Sequence, residues 1–498
     1  MIILSGHNLT PDDLTRIADG APVGLAEAGL TRMVATHAQL RAALAEERPI
    51  YGVTTGLGPR VVERLDADAQ AAMSLRTVRG RAHTAGAPLP ARIVRGAMAV
   101  RANTLLIGAS GARPDLARLI AACLDAGLSP VVRTSGSIGA ADLMWGGSLG
   151  RGLIGESDLD TPLGVRPAAE ALAAAGLAPY APGPREGLAM VSHSSFAGAL
   201  AALAVTRLTQ LFEAAQTAAA LSLEGFRGNL SPLDPHALAL RPQAGQTWAA
   251  EGLRQRLAGS SLWRAGTARR LQDPLSLRNI AQIHGAFTAA LETLAAAASD
   301  EINGASDNPA VHAETGVVLS HGGYLTPHLA ITANAVAQAA VHVAAAQVSR
   351  MAKMVNPRFT DLPLGLVAGG VDSAGFAPVM KTAEALFAEI AHHAQPSPVY
   401  PSFSADGVED VVAHSAVPLM ALEDITERLD RLVAIELIIA AQALDLRAPD
   451  PVAPAMARTR DQIRTGVAPL TEDRSLTDDI EWVATRIQTG LFGRDEPV

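Results

Sequence analysis

Five stretches constrain this chain more than anything else in it. Residues 195–225, 276–299, 326–354, 376–394 and 417–446 each place apolar side chains at i, i+3, i+4 and i+7 with few breakers. Each predicts a helix with an apolar stripe, and helices this long must pack side by side to hide it. At 1.5 Å per residue the longest predict a bundle on the order of 45 Å long. The available side chains suit close approach: 49% of the 498 residues are hydrophobic but only 3% aromatic, so Ala, Leu, Val and Ile must fill the interior. The fold class expected is mainly α.

The first part of the chain reads differently. Thr10-Pro11-Asp12-Asp13 is a capped helix start, residues 26–46 continue at helical spacing, and 66–128 is helical with a break at Gly86-Ala87-Pro88-Leu89-Pro90. Between these lie the Gly/Thr-rich segment 52–58 and, further on, the short pieces and loops of 129–194. No fixed-period repeat or low-complexity linker separates independent domains. The expected division is a loop-rich N-terminal domain over 1–195 and a long-helix bundle over 196–498.

Charge and cysteine usage exclude several classes. A net charge of −9, with no Lys/Arg cluster interleaved with aromatics, argues against a nucleic-acid partner. The single Cys123 lies among Ile120, Ala121, Ala122 and Leu124, as a core residue does, so no intrachain disulfide or cysteine metal site is expected. His392 and His393 are adjacent on a predicted helix and point to different sides, and no other histidines have ligand spacing, so no metal is expected. Met1-Ile2-Ile3-Leu4-Ser5 lacks a charged leader, and Arg207, Glu213 and Glu436 interrupt the apolar runs. The expectation is a cytoplasmic protein without signal peptide or membrane span.

The stretch Gly136-Ser137-Ile138-Gly139-Ala140-Ala141-Asp142-Leu143, followed by the apolar, glycine-rich Met144 to Gly155, is a tight turn with nothing bulky to hold a ligand or another backbone away. It reads either as a site built from backbone or as a Gly-rich loop in a crowded core. Together with Tyr51-Gly52-Val53-Thr54-Thr55-Gly56-Leu57-Gly58 and Gln272-Asp273-Pro274-Leu275-Ser276-Leu277-Arg278, it resembles the histidine and aromatic amino acid ammonia-lyase family. The resemblance spans essentially the whole chain, with Ser306-Asp307-Asn308-Pro309, Leu362-Pro363 and the run Ile435 to Arg447 as further landmarks. It implies a fumarase/aspartase-like helical fold and a homotetramer whose pockets are each built from several subunits.

One departure is central. Members of the family typically carry Ala-Ser-Gly between the glycine and the aspartate of this loop, and the triplet cyclises into the electrophilic methylidene-imidazolone (MIO) group. Here only Ala140 and Ala141 stand between Gly139 and Asp142, with no serine to dehydrate and no glycine nitrogen to attack. No MIO, and no other cofactor, is therefore expected. Ser192 stands where the family often has the asparagine that supports the electrophile, and Leu275 where it has a tyrosine.

The resemblance implies the remaining site residues. Tyr51 matches a tyrosine that transfers a proton over the substrate; read alone, it is a packing anchor or a reactive hydroxyl. Arg278 matches the carboxylate-binding arginine, its plainer reading being a surface arginine at a helix start. Gln272 fits a position that holds substrate or prosthetic group, and Glu409 matches the glutamate of an Asn-Gln-Glu-Asp signature. Arg81 falls near the ring-selecting position with His83 close by, and Tyr324 falls near a pocket phenylalanine. Lys381, beside Val379, Met380 and Ala383, is either a lysine brought toward neutrality by an apolar setting or a surface lysine paired to Glu384.

Without the electrophile, the substrate must bring its own activation. A quaternary trimethylammonium leaves without a covalent adduct, and a thiol-bearing imidazole polarised by cations acidifies the β-carbon. The reading is thus an ergothionase-like, MIO-independent carbon–nitrogen lyase. It performs 1,2-elimination of an amine, trimethylamine, from a histidine-derived betaine such as ergothioneine. Tyr51 or Lys381 would be the base and Glu409 would orient or transfer the proton. Arg278 would hold the carboxylate and Arg81 would polarise the ring. The alternatives are an isomerase, cyclase or addition enzyme on an amino acid-like substrate, and a non-catalytic homologue that binds a small ligand.

Overall fold

The computed structural model describes residues 1–46, 49–367, 372–397, 399–447 and 452–493. The long helices form where the periodicity places them. They run Ser195–Phe226, Ile280–Ile302, Pro327–Met354, Val379–His393 and Ala416–Asp445. The helix expected over 276–299 is broken near its start: Leu275–Arg278 is a short turn of its own, and Asn279, at φ −105° and ψ 22°, separates it from the long helix. Two helical stretches, Glu186–Phe226 and Pro327–Met354, are apolar and long enough to cross a bilayer; the apolar window of the first is entirely buried within the protein.

Contacts divide the chain into two units whose limits differ from a cut at residue 195. The first contains Met1–Thr206, Leu294–Ala333 and Ser397–Met420; the second contains Arg207–Thr293, Asn334–Pro396 and Ala421–Val498. Two later segments thus join the N-terminal region, and their loops hydrogen-bond to the 136–142 loop.

The first unit carries small sheets among its helices. Ile2–Leu4 pairs parallel with Val23–Leu25, Ala85–Pro88 pairs antiparallel with Arg133–Ser135, and Ala310–Val311 forms a hairpin with Val318–Leu319. The expected cap is present: Thr10 Oγ1 accepts the Asp13 N–H at 3.1 Å and starts the helix Pro11–Ala18. The glycine-rich stretch after Asp142 is not a loop but the helix Leu143–Leu153. Glycine is a poor helix former, and packing overrides that here. A Cβ on Gly146 would strike the Val191 carbonyl, one on Gly147 the backbone of Arg81, and one on Gly187 the Ser74 carbonyl. Three helices, Ala67–Arg79, Leu143–Leu153 and Glu186–Val191, therefore meet backbone to backbone. That contact sets where Arg81 and Ser192, just past the ends of two of them, emerge.

In the second unit a charge pair is buried in the helix interiors. Glu436 receives Arg350 in two parallel bonds of 2.7 and 3.0 Å, and the Ser222 hydroxyl adds a third at 2.8 Å. Both charged side chains are fully buried. The glutamate that interrupts an apolar run in the sequence thus ties three long helices at one level.

Candidate active site

The 136–142 loop is held from three directions. The N–H of Ala141 donates to the Tyr324 carbonyl at 3.0 Å, and its own carbonyl accepts from His193 N–H at 3.0 Å. The Ile138 carbonyl accepts from His414 N–H at 2.9 Å, and the Gly139 carbonyl from Thr326 N–H at 3.2 Å. A Cβ on Gly139, at φ +71°, would lie 2.7 Å from the His414 nitrogen, so only glycine fits. Asp142 anchors the loop from below, where its carboxylate accepts from the Ser137 hydroxyl and from Ala197 N–H. Burial pushes this carboxyl up to about 6, against the pull of those hydrogen bonds. Ala141 and Asp142 both adopt left-handed conformations, at φ 63° and 43°, which strains two consecutive side-chain-bearing residues.

Above the loop lies a cavity of about 200 Å³ formed wholly by the first unit. Ala140, Ala141 and Leu143 form its floor, and Tyr51, Arg81, Ser192, Asn308, Tyr324 and Glu409 supply its polar wall. Five of the residues singled out in the sequence meet there: Tyr51, Arg81, Ser192, Tyr324 and Glu409. The segment 51–58 turns back through Gly52 and Gly58, both at positive φ, so that Gly58 N–H donates to the Tyr51 hydroxyl oxygen at 3.0 Å. Burial draws the Arg81 guanidinium below its usual value, and nearby Tyr51 and Glu409 pull it back up. Arg81 and Glu409 form no direct ion pair among the described residues, and both face the one cavity. Glu409 is presented by the turn 404–409, where its N–H donates to the Ser404 carbonyl at 3.2 Å.

The other singled-out residues lie elsewhere. His83, although two positions from Arg81, is exposed and is not on the wall. Gln272, Arg278 and Lys381 belong to the second unit and do not line this cavity. Arg278 is half-buried at the end of its short helix, and Gln272 is exposed. Lys381 is also exposed, because it points away from the buried Met380, Ala383 and Leu386 stripe of its helix. Asn308 was legible only as part of a landmark, since nothing in a lone Asn-Pro pair says which wall it joins.

The floor does not fit an MIO group. Forming it needs a hydroxyl to eliminate and a ring closure through a glycine nitrogen, and Ala140 and Ala141 offer methyl groups. The amide N–H and carbonyl of Ala141 are both engaged in ordinary hydrogen bonds.

Comparison with known proteins identifies the family. The family model for aromatic amino acid lyases matches residues 9–465. A histidine ammonia-lyase of Anaeromyxobacter sp. (strain K) is 35% identical, across 98% of this chain and 99% of its own. Among solved structures, the fold matches the ergothioneine-degrading enzyme ergothionase of Treponema denticola, in complex with desmethyl-ergothioneine sulfonic acid, at a TM-score of 0.93. That match has 26% identity over 99% of both chains. Histidine ammonia-lyase of Trypanosoma cruzi matches at 0.89, with 28% identity over 99% of this chain and 94% of the other. The chain belongs to the aromatic amino acid lyase family, and it is a carbon–nitrogen lyase with that family's helical fold.

Proposed function

We propose that this lyase works without MIO and eliminates an amine, trimethylamine, from a histidine-derived betaine such as ergothioneine. The observation that carries the reading is Arg81 and Glu409, without a direct ion pair among the described residues, sharing one small cavity with Tyr51 above a floor of two alanines. A ring that offers a lone-pair or anionic acceptor at one edge and an N–H at another satisfies both charges at once, and a sulfur-substituted imidazole does so. The likeness to a structure bound to an ergothioneine derivative supports the same substrate class.

In this mechanism Tyr51, as the phenolate, takes a proton from the β-carbon. The C–H electrons form the new double bond, and the Cα–N electrons leave with nitrogen as neutral trimethylamine. Arg81 draws electron density into the ring and stabilises charge at the β-carbon, while Glu409 holds the ring N–H. Gly58 N–H, already on the Tyr51 oxygen, makes a stronger bond to an oxyanion there. Arg278, Gln272 and Lys381 act from neighbouring subunits of a cytoplasmic homotetramer, Arg278 on the carboxylate.

The test is incubation of purified protein with ergothioneine, hercynine and histidine, following absorbance of a conjugated acrylate and assaying released amine. Trimethylamine from a betaine, with histidine inert, supports the reading. Tyr51→Phe should then lose on the order of a hundredfold or more in kcat, and Lys381→Met should lose less. Ammonia from histidine, or the ultraviolet absorbance of MIO in the purified protein, refutes it. A product that retains its amine moves the assignment to an isomerase or cyclase.

A further inference from the structure

Two carboxyl groups lie behind the cavity floor and take no part in the steps above. Asp142 stands in the chain between Ala141 and Leu143, both on the cavity surface, while its own side chain is buried. Its carboxylate accepts from the Ser137 hydroxyl and from Ala197 N–H, the latter at 3.0 Å. Glu301, largely buried at the end of the helix Ile280–Ile302, accepts from the Ser194 hydroxyl. A Cβ on Gly198 would lie 3.2 Å from Glu301 Cγ. The start of the helix Ser195–Phe226 therefore gathers both carboxyls, a few residues from Ser192 on the cavity wall.

Neither has a guanidinium or ammonium partner among the described residues. Burial pushes Glu301 up to about 7 against its Ser194 hydrogen bond, and the charges of Asp142 and the exposed Asp300 add to the rise. The neighbouring charges belong to other pairs. Asp307, on the adjoining 306–309 segment, is held by Arg101 at 2.8 and 3.0 Å and approached by Arg185 at 3.9 Å, and they keep it below its usual value against burial. Burial and Arg101 draw His193 down to about 3, so it stays neutral. A carboxylate buried without a cation is costly, and the cost falls when a cation occupies the cavity beside it.

We propose that Glu301 and Asp142 act through the floor as the counter-charge to the substrate's quaternary ammonium, and so select a permanent cation at the amine position. A trimethylammonium group has no N–H to donate. It is recognised by field rather than by hydrogen bonds, and carboxylates one layer behind the alanine floor supply that field. The proposal rests on the functional reading above for the trimethylammonium group itself.

The test is calorimetric titration of Tyr51→Phe, which keeps ergothioneine intact, with and without Glu301→Gln. Gln keeps an acceptor for Ser194 and removes the charge. The ligands are ergothioneine and 3-(2-thioxoimidazol-4-yl)propionate, which lacks only the trimethylammonium group; neither ring titrates between pH 5 and 8. At pH 8 the expected loss on Glu301→Gln is on the order of threefold to thirtyfold for ergothioneine, with the propionate unchanged. At pH 5, where Glu301 is already protonated, both proteins should bind ergothioneine alike. In the parent, the ratio of the two affinities should rise with pH; in the variant, the part that remains should centre near 6, where Asp142 ionises.

Equal weakening of both ligands, or no weakening, overturns the proposal. If Glu301→Gln does not fold, the parent decides, and a ratio that is flat from pH 5 to 8 overturns it. Trimethylamine release by wild type beside a flat ratio refutes this role and leaves the elimination standing. A rising, Glu301-dependent ratio without amine release by wild type does the reverse. Failure of ergothioneine to bind at any pH overturns both.

Discussion

Two buried carboxylates, one in each unit, are held in contrasting ways. Glu436, among the long helices, is matched by a full guanidinium in two parallel bonds, so its burial is compensated charge for charge. Asp142, under the cavity floor, has only a hydroxyl and backbone N–H groups, and burial raises it to about 6. The first arrangement is rigid and local. The second, itself left-handed and next to left-handed Ala141, stores strain in the loop that forms the floor of the site. The lesson is that this chain secures its bundle with paired charge and spends local strain where the substrate is expected to lie.

Three substitutions sharpen or break that contrast. The largest effect is expected from Arg350→Ala, which leaves Glu436 buried and uncompensated and should cost about 3–5 kcal/mol in urea unfolding. A loss under about 1 kcal/mol would mean that the pair does not secure the bundle.

Next is Asp142. Its carboxyl is raised in the folded protein, so the folded state binds the proton more readily than the unfolded chain. The resulting stabilisation is full below about pH 4 and is lost as pH rises through about 6. Asp142→Asn should remove about 3 kcal/mol of that pH dependence from the melting profile. Glu301, buried, bonded to Ser194 and raised to about 7, will keep a second, higher step of the same sign. A wild-type profile flat between pH 4 and 7 contradicts this account.

The smallest effect is a gain. Ala141→Gly relieves one left-handed Cβ and should raise stability by about 1 kcal/mol. No change in melting would show that the loop is not strained at that residue.

Much of the helical fold was legible without coordinates, because a 3.6-residue apolar stripe sustained over four or more turns has few other solutions. The ends of Ser195–Phe226 and Pro327–Met354 fall within a residue of the periodic signal. The glycine-rich helix Leu143–Leu153 was not legible, since its residues argue locally against helix and only the backbones of Val191 and Arg81 explain them.

The site divides in the same manner. The missing triplet, and the candidacy of Tyr51, Arg81 and Glu409, are properties of residue types at given positions, and the sequence alone determines them. That His83 lies outside the wall, that Lys381 is exposed and that Asn308 presents an amide to the cavity are matters of direction. Direction is decided by helix phase and by hydrogen bonds between segments far apart in the chain, such as Ala141 to Tyr324 and Ile138 to His414, which exist only once the first unit has folded.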